Sequence, residues 1–129
     1  MAAAGLVALS MVPFFLSETY ANRGIRTGTA DPDAAYTDLH RSADLDPLTS
    51  FPLIGEAVIA EDEGDRRRAL SALDEAESRN PDDWQPYYME AQLLKTVDKA
   101  RARAALARAR SLNPLDEDVT GLTQELRSG

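Results

Sequence analysis

Residues 66–81 read RRRALSALDEAESRNP and residues 99–114 read KARARAALARARSLNP. A slide of 33 residues superposes Arg68 on Arg101, Ala69 on Ala102, Ala72 on Ala105, Leu73 on Leu106 and Ala76 on Ala109. It continues with Ser78 on Ser111, Asn80 on Asn113 and Pro81 on Pro114. A slide of 34 carries the register upstream, with Asp31 on Asp65, Ala35 on Ala69, Leu39 on Leu73 and Pro47 on Pro81. The same slide puts Pro52 on Pro86, Glu56 on Glu90 and Ala57 on Ala91. A period in the low thirties, with its prolines in phase, marks an array of stacked units rather than one irregular core.

Each period holds two helices. The pairs Asp46-Pro47, Asn80-Pro81 and Asn113-Pro114 close helices, because the residue before proline is pushed out of the α region. Asp31 caps a first helix that has Pro32 at its first position and runs to about Leu45. A second begins near Ser50 and ends at Gly64, where a left-handed residue is expected before Asp65 caps the next. The pattern continues with helices over 66–79, 84–96, 99–112 and 116–127. Ala69, Leu70, Leu73 and Ala76 form one apolar stripe on the third, and Val119, Leu122 and Leu126 do so on the last.

This pattern resembles the tetratricopeptide repeat. That family places a small residue, a bulky one four on, a small one three further and a proline five beyond. Ala69, Leu73, Ala76 and Pro81 fill those places, as do Ala102, Leu106, Ala109 and Pro114. In the first helices the family's aromatic position falls on Leu53 and Tyr87, its small residue on Ala57 and Ala91, and its next core aromatic on Ala60 and Leu94. Glu56 and Glu90 depart from it by standing where the family has leucine, and Ser42 departs in the first unit. The connection after Thr96 is one residue short. The resemblance covers about residues 31–127 and implies an all-α array of helical hairpins, about two full repeats with flanking helices.

An apolar helix is expected before the array. Met1 to Ser17, MAAAGLVALSMVPFFLS, contains no ionisable side chain, and a span needs about 17–25 apolar residues. The domain division is therefore 1–17 apolar membrane-anchor helix, 18–30 linker and 31–129 repeat domain. Arg23 and Arg26 follow the run and no base precedes it, which directs the C-terminal part to the cytoplasm. Export after cleavage near Ala21 is the alternative, since Thr19-Tyr20-Ala21 resembles a small-residue cleavage site. Together the apolar run, the linker and the Ala- and Arg-rich repeats resemble the C-terminal tail of bacterial O-antigen ligase-like membrane proteins.

Composition removes several classes. The 129 residues contain no Cys, one His and a net charge of -8, so disulfide scaffolds, cysteine zinc sites and thiol nucleophiles are out. The acidic balance opposes nucleic-acid binding, whose affinity comes from neutralised phosphates. Glu61-Asp62-Glu63-Gly64-Asp65 lacks the spacing of a calcium loop and reads as a solvated, capping turn. His40 and Asp44 lie one turn apart with no nucleophile placed beside them by a motif. Arg66, Arg67 and Arg68 open a helix against its dipole and are expected to pair locally with the acidic turn.

The fifth helix carries Lys99, Arg101, Arg103, Arg108 and Arg110 with no acid, while residues 31–98 hold 17 acids and 6 bases. Contact with acidic neighbouring helices is the expectation, and a surface for lipid headgroups or an acidic partner is the alternative. No catalytic residue, cofactor or metal is assigned. A helical array leaves an extended inner face suited to holding a protein or peptide segment. The resemblance puts Phe51, Ile54, Val58, Tyr88, Gln92 and Lys95 on it, with Tyr87 facing the paired helix and Trp84 under the inter-repeat turn. The chain is accordingly read as a membrane-anchored interaction module or scaffold, with self-association as another use of the surface. The competing reading is a C-terminal tail of a polysaccharide-transferring membrane protein whose active site lies outside this chain.

Overall fold

The computed structural model describes Gly24, Gly28 and residues 30–128. The expected anchor over 1–17 lies outside them. From residue 31 onward six helices follow one another: α1 (Pro32–Leu45), α2 (Phe51–Asp62), α3 (Arg66–Arg79), α4 (Trp84–Leu94), α5 (Lys99–Leu112) and α6 (Glu117–Ser128). Each packs chiefly on its neighbours in sequence. That is how a solenoid buries a core it cannot close within one unit.

Aspartates start most of these helices. The carboxylates of Asp31, Asp65 and Asp98 accept from the backbone N–H three residues on, at 3.0–3.1 Å. Asp83 and Asp116 accept from the N–H two residues on at 3.0 Å. Ser50 precedes α2 but makes no capping bond, and its buried hydroxyl has no protein partner. Helix ends follow the prolines. Asp46, Asn80 and Asn113 sit at φ/ψ of -134/82, -136/82 and -137/78, outside the α region as the following proline requires. Gly64 takes φ +78, and the Asp65 N–H reaches back to the Ala60 carbonyl at 2.8 Å.

The connection between α4 and α5 has no glycine and closes differently. Both the Val97 and Asp98 N–H groups donate to the Leu94 carbonyl, at 3.0 and 2.8 Å. This ends α4 at Leu94 rather than Thr96, and it accounts for the missing residue.

Alanine sets the packing distance. Ala57, Ala60, Ala69, Ala76, Ala91, Ala102 and Ala109 are all 0% exposed. A methyl side chain lets helix axes approach while a leucine fills the groove beside it. Leu73 lies with Ala57, Ala60, Ala69, Ala72 and Leu93, joining α2, α3 and α4. Leu106 lies with Ala91, Ala109, Val119, Leu122 and Leu126, joining α4, α5 and α6. Upstream, Gly24 and Gly28 are buried against the array. A Cβ at Gly24 would come within 2.7 Å of Leu39 Cγ, and one at Gly28 within 2.6 Å of Ile59 Cδ1. Gly24 thus lies against α1 and Gly28 against α2.

Leu73 is 0% exposed, so Leu73→Ala should cost about 2–5 kcal/mol. Both hairpins should melt in one transition, because the lost side chain spans their joint. Denaturant titration monitored by circular dichroism measures this, and a loss under about 1 kcal/mol would contradict the packing.

Candidate functional site

Three of the six residues expected on the inner face stand on α2. Phe51, Ile54 and Val58 recur at helical spacing, so their side chains share one face. Phe51 is 51% exposed and Val58 43% exposed, large apolar groups left in water. They line a groove of about 420 Å³ with Ile59, Gly28 and Pro32, and Asp62 and Glu63 add acidic groups to its lining. Glu63 accepts a short hydrogen bond from the Tyr36 hydroxyl of α1. Burial, reinforced by the Glu63 charge, pushes the Tyr36 phenol above its ordinary range, so it remains a donor.

Of the other three, Tyr88 and Gln92 stand on α4 and Lys95 caps its C-terminal end. Gln92 donates from Nε2 to the Tyr88 hydroxyl oxygen at 2.6 Å. Tyr88 is half-buried and packs on the core shared by α4, α5 and α6, with the Trp84 ring centroid 5.9 Å away. Its phenol is raised by burial, by Asp118 of α6 and by Asp116, which caps that helix. Lys95 Nζ lies 3.0 Å from Glu125 Oε1 of α6. Gln92 and Lys95 also line a polar recess of about 240 Å³ with Glu61, Gly64 and Arg66. The six residues therefore form two neighbouring patches: an apolar groove on α2 and a polar strip on α4.

Tyr87 and Tyr88 divide less cleanly than the repeat pattern implies. Both are half-buried against the same core cluster. Tyr87 donates its hydroxyl to the Pro81 carbonyl at 3.3 Å, as a residue packed beside the inter-repeat turn can. Trp84 packs on Tyr88 and on the core shared by α4, α5 and α6. Asp62 and Glu63, which also line the groove, stand outside the expected set. Asp62 lies one helical turn beyond Val58, so spacing alone could have added it.

The two glutamates at the family's leucine position are both buried, at 5% exposure. Each receives an arginine from the following helix. Arg68 Nε is 3.0 Å from Glu56, and Arg101 Nη2 is 2.5 Å from Glu90. Glu56 also meets His40 Nε2 at 3.1 Å, and Arg68 stacks 3.3 Å over the Tyr36 ring. A second arm of Arg101 contact reaches Asp74 at 3.0 Å. Arg68 therefore pairs with the preceding helix rather than with the acidic turn. Buried carboxylates persist in such a place because guanidinium can satisfy them at close range. On α5, Arg101 and Arg108 meet acids of α3, α4 and the turn between them, Arg108 with Asp82 at 3.7 Å. Arg103 instead donates to the Leu126 carbonyl at 3.0 Å.

Glu77 belongs to the same junction. Burial first, then the charges of Glu90 and Asp74, push its carboxyl from 4.5 up to about 7. Its Oε1 is buried without a protein partner. The folded state thus holds this proton at pH values where the unfolded chain releases it. Stability from this group is fully present below about pH 4.5 and falls as pH rises through about 7. Glu77→Gln should keep the neutral shape without the titration. The difference in melting temperature between variant and parent should grow from pH 5 to pH 8 in favour of the variant. Equal differences at both pH values, read from thermal melts, would refute this.

No protein-family model and no curated protein matches the chain. Solved structures do. An Arabidopsis OM64 tetratricopeptide-repeat domain aligns with TM-score 0.74 at 14% identity, over 90% of this chain and 98% of that one. The first such domain of Spaghetti (RPAP3), bound to an HSP90 peptide, aligns at 0.72 and 15%, over 88% and 91%. The Yersinia enterocolitica type III secretion chaperone SycD, in complex with a peptide of the translocator YopD, aligns at 0.67 and 15%, over 86% of each. At such identities the likeness speaks to fold: this is a tetratricopeptide-repeat fold.

Proposed function

We propose that the chain is an interaction module that binds a protein or peptide segment along the inner face of its first helices. It works by holding rather than by catalysis. The observation that carries this reading is the pair of half-exposed apolar side chains, Phe51 and Val58, flanking a groove of about 420 Å³. Monomeric proteins seldom leave such groups side by side around a cleft without use. Two proteins of the same fold, SycD and Spaghetti, have peptides bound in their structures, which supports the same use here. An apolar side chain of the segment would fill the α2 groove, while Tyr88 and Gln92 offer polar contacts beside it.

A photoreactive amino acid at position 51 of the full-length chain should crosslink a specific partner in native membranes. Phe51→Ala should then weaken binding of that partner by about 2 kcal/mol, roughly 30-fold, with helix content unchanged. Retained affinity in Phe51→Ala, Val58→Ala and Tyr88→Ala alike would sink the groove as the working surface.

Residues 1–17 are proposed to anchor the module in a membrane, with the repeats on the cytoplasmic side. Support comes from the uncharged run and from Arg23 and Arg26 after it. No helix among the described residues is long and apolar enough to cross a membrane. Full-length protein should therefore stay with membranes through a carbonate wash only if residues 1–17 are present. Recovery of a mature chain beginning at Asn22 would replace the anchor with export and cleavage. The second reading, a tail of a polysaccharide-transferring membrane protein, draws on the same succession of apolar run, linker and repeats. A multi-span segment encoded directly upstream would favour it.

A further inference from the structure

The final pair of helices among the described residues forms a groove that repeats an occupied one with its charge reversed. Between α3 and α4 the seam is floored by Leu73 and Leu93. Helix α5 leans on that seam: Leu70 of α3 packs against its alanine and leucine stripe, and Arg101 bridges Asp74 of α3 and Glu90 of α4. Moving 33 residues along the chain gives the seam between α5 and α6. The register is secure, because the capping aspartates 83 and 116 and the first helical residues 84 and 117 differ by the same step.

The floor is conserved in kind across that step, Leu73 giving Leu106 and Leu93 giving Leu126. The walls are not. Where the inner seam has Asp74, Glu77 and Glu90, the outer one has Ala107, Arg110 and Thr123. Where the inner seam has Leu70 and Leu94, the outer has Arg103 and Arg127. The outer seam forms an open groove of about 520 Å³ lined by these residues, with Arg103, Arg110 and Arg127 exposed along it. A helix like α5, entering here, would set its arginine against Ala107, Thr123 and Arg110 and lose every acid that holds Arg101.

We propose that this groove receives an amphipathic helix from a partner protein, with small apolar residues and leucine on one stripe and carboxylates flanking it. The stripe would take the place over Leu106 and Leu126 that the α5 stripe takes over the inner seam. The carboxylates would meet Arg103, Arg110 and Arg127, as Asp74 and Glu90 meet Arg101 one repeat earlier. The surface is distinct from the α2 groove, so neither assignment depends on the other.

Two labelled peptides test it against the full-length chain by fluorescence anisotropy. One is the 99–112 segment with Lys99, Arg101, Arg103, Arg108 and Arg110 all replaced by glutamate; the other is the unaltered segment. The acidic peptide should bind saturably, at least about tenfold tighter than the basic one, and more weakly as salt rises. The exposed substitutions Arg110→Glu and Arg127→Glu together should abolish that preference while leaving the helical spectrum intact. Phe51→Ala should leave it unchanged. No saturable binding of the acidic peptide, equal binding of both peptides, or indifference to the double charge reversal overturns the proposal. Should the chain alone form dimers that the double reversal dissolves, a second copy is the occupant and the partner helix is refuted.

Discussion

Methyl-to-methyl contact between helices is the constraint on which this fold rests. Wherever two helices cross, an alanine with no exposed surface stands at the crossing, and a leucine such as Leu73 or Leu106 fills the space beside it. A larger side chain at Ala69 or Ala102 would force the axes apart. Overpacking of this kind typically costs about 1–3 kcal/mol. Because each helix meets mainly its sequence neighbours, such a shift would also displace every later unit.

The buried carboxylates of Glu56 and Glu90, each met by a partly exposed arginine, Arg68 or Arg101, sit on this frame and exploit it. They bring ionic contacts to positions that a leucine could fill with less desolvation. In both units the carboxylate on the first helix is met by a guanidinium from the helix that follows it.

The helices were legible from the chain because their signals are local. Capping aspartates and pre-proline residues act within a turn of their own position, so α1, α3 and α5 end where Asp46, Asn80 and Asn113 require. The α4 terminus was missed by two residues, since its short turn depends on two N–H groups sharing one carbonyl. Glu56 and Glu90 looked like departures because residue type suggests exposure, and their partners lie on another helix. The signal was nevertheless repeated in the chain, with an arginine 12 residues after one and 11 after the other. For the inner face, repeat register placed Phe51, Ile54 and Val58 together around one groove. It could not foresee that Lys95 is paired with Glu125, 30 residues away on the last helix.

The three pre-proline joints at Asp46, Asn80 and Asn113 agree in φ within 3° and in ψ within 4°. Joints this similar make the chain behave like a screw of constant pitch, where any one thread can be exchanged for another. Cutting the chain at two such joints and rejoining the ends would leave every remaining bend unaltered. Units could then be gained or lost by duplication and excision without a transitional misfit, and the length of the array can drift over evolutionary time independently of the surfaces each unit carries.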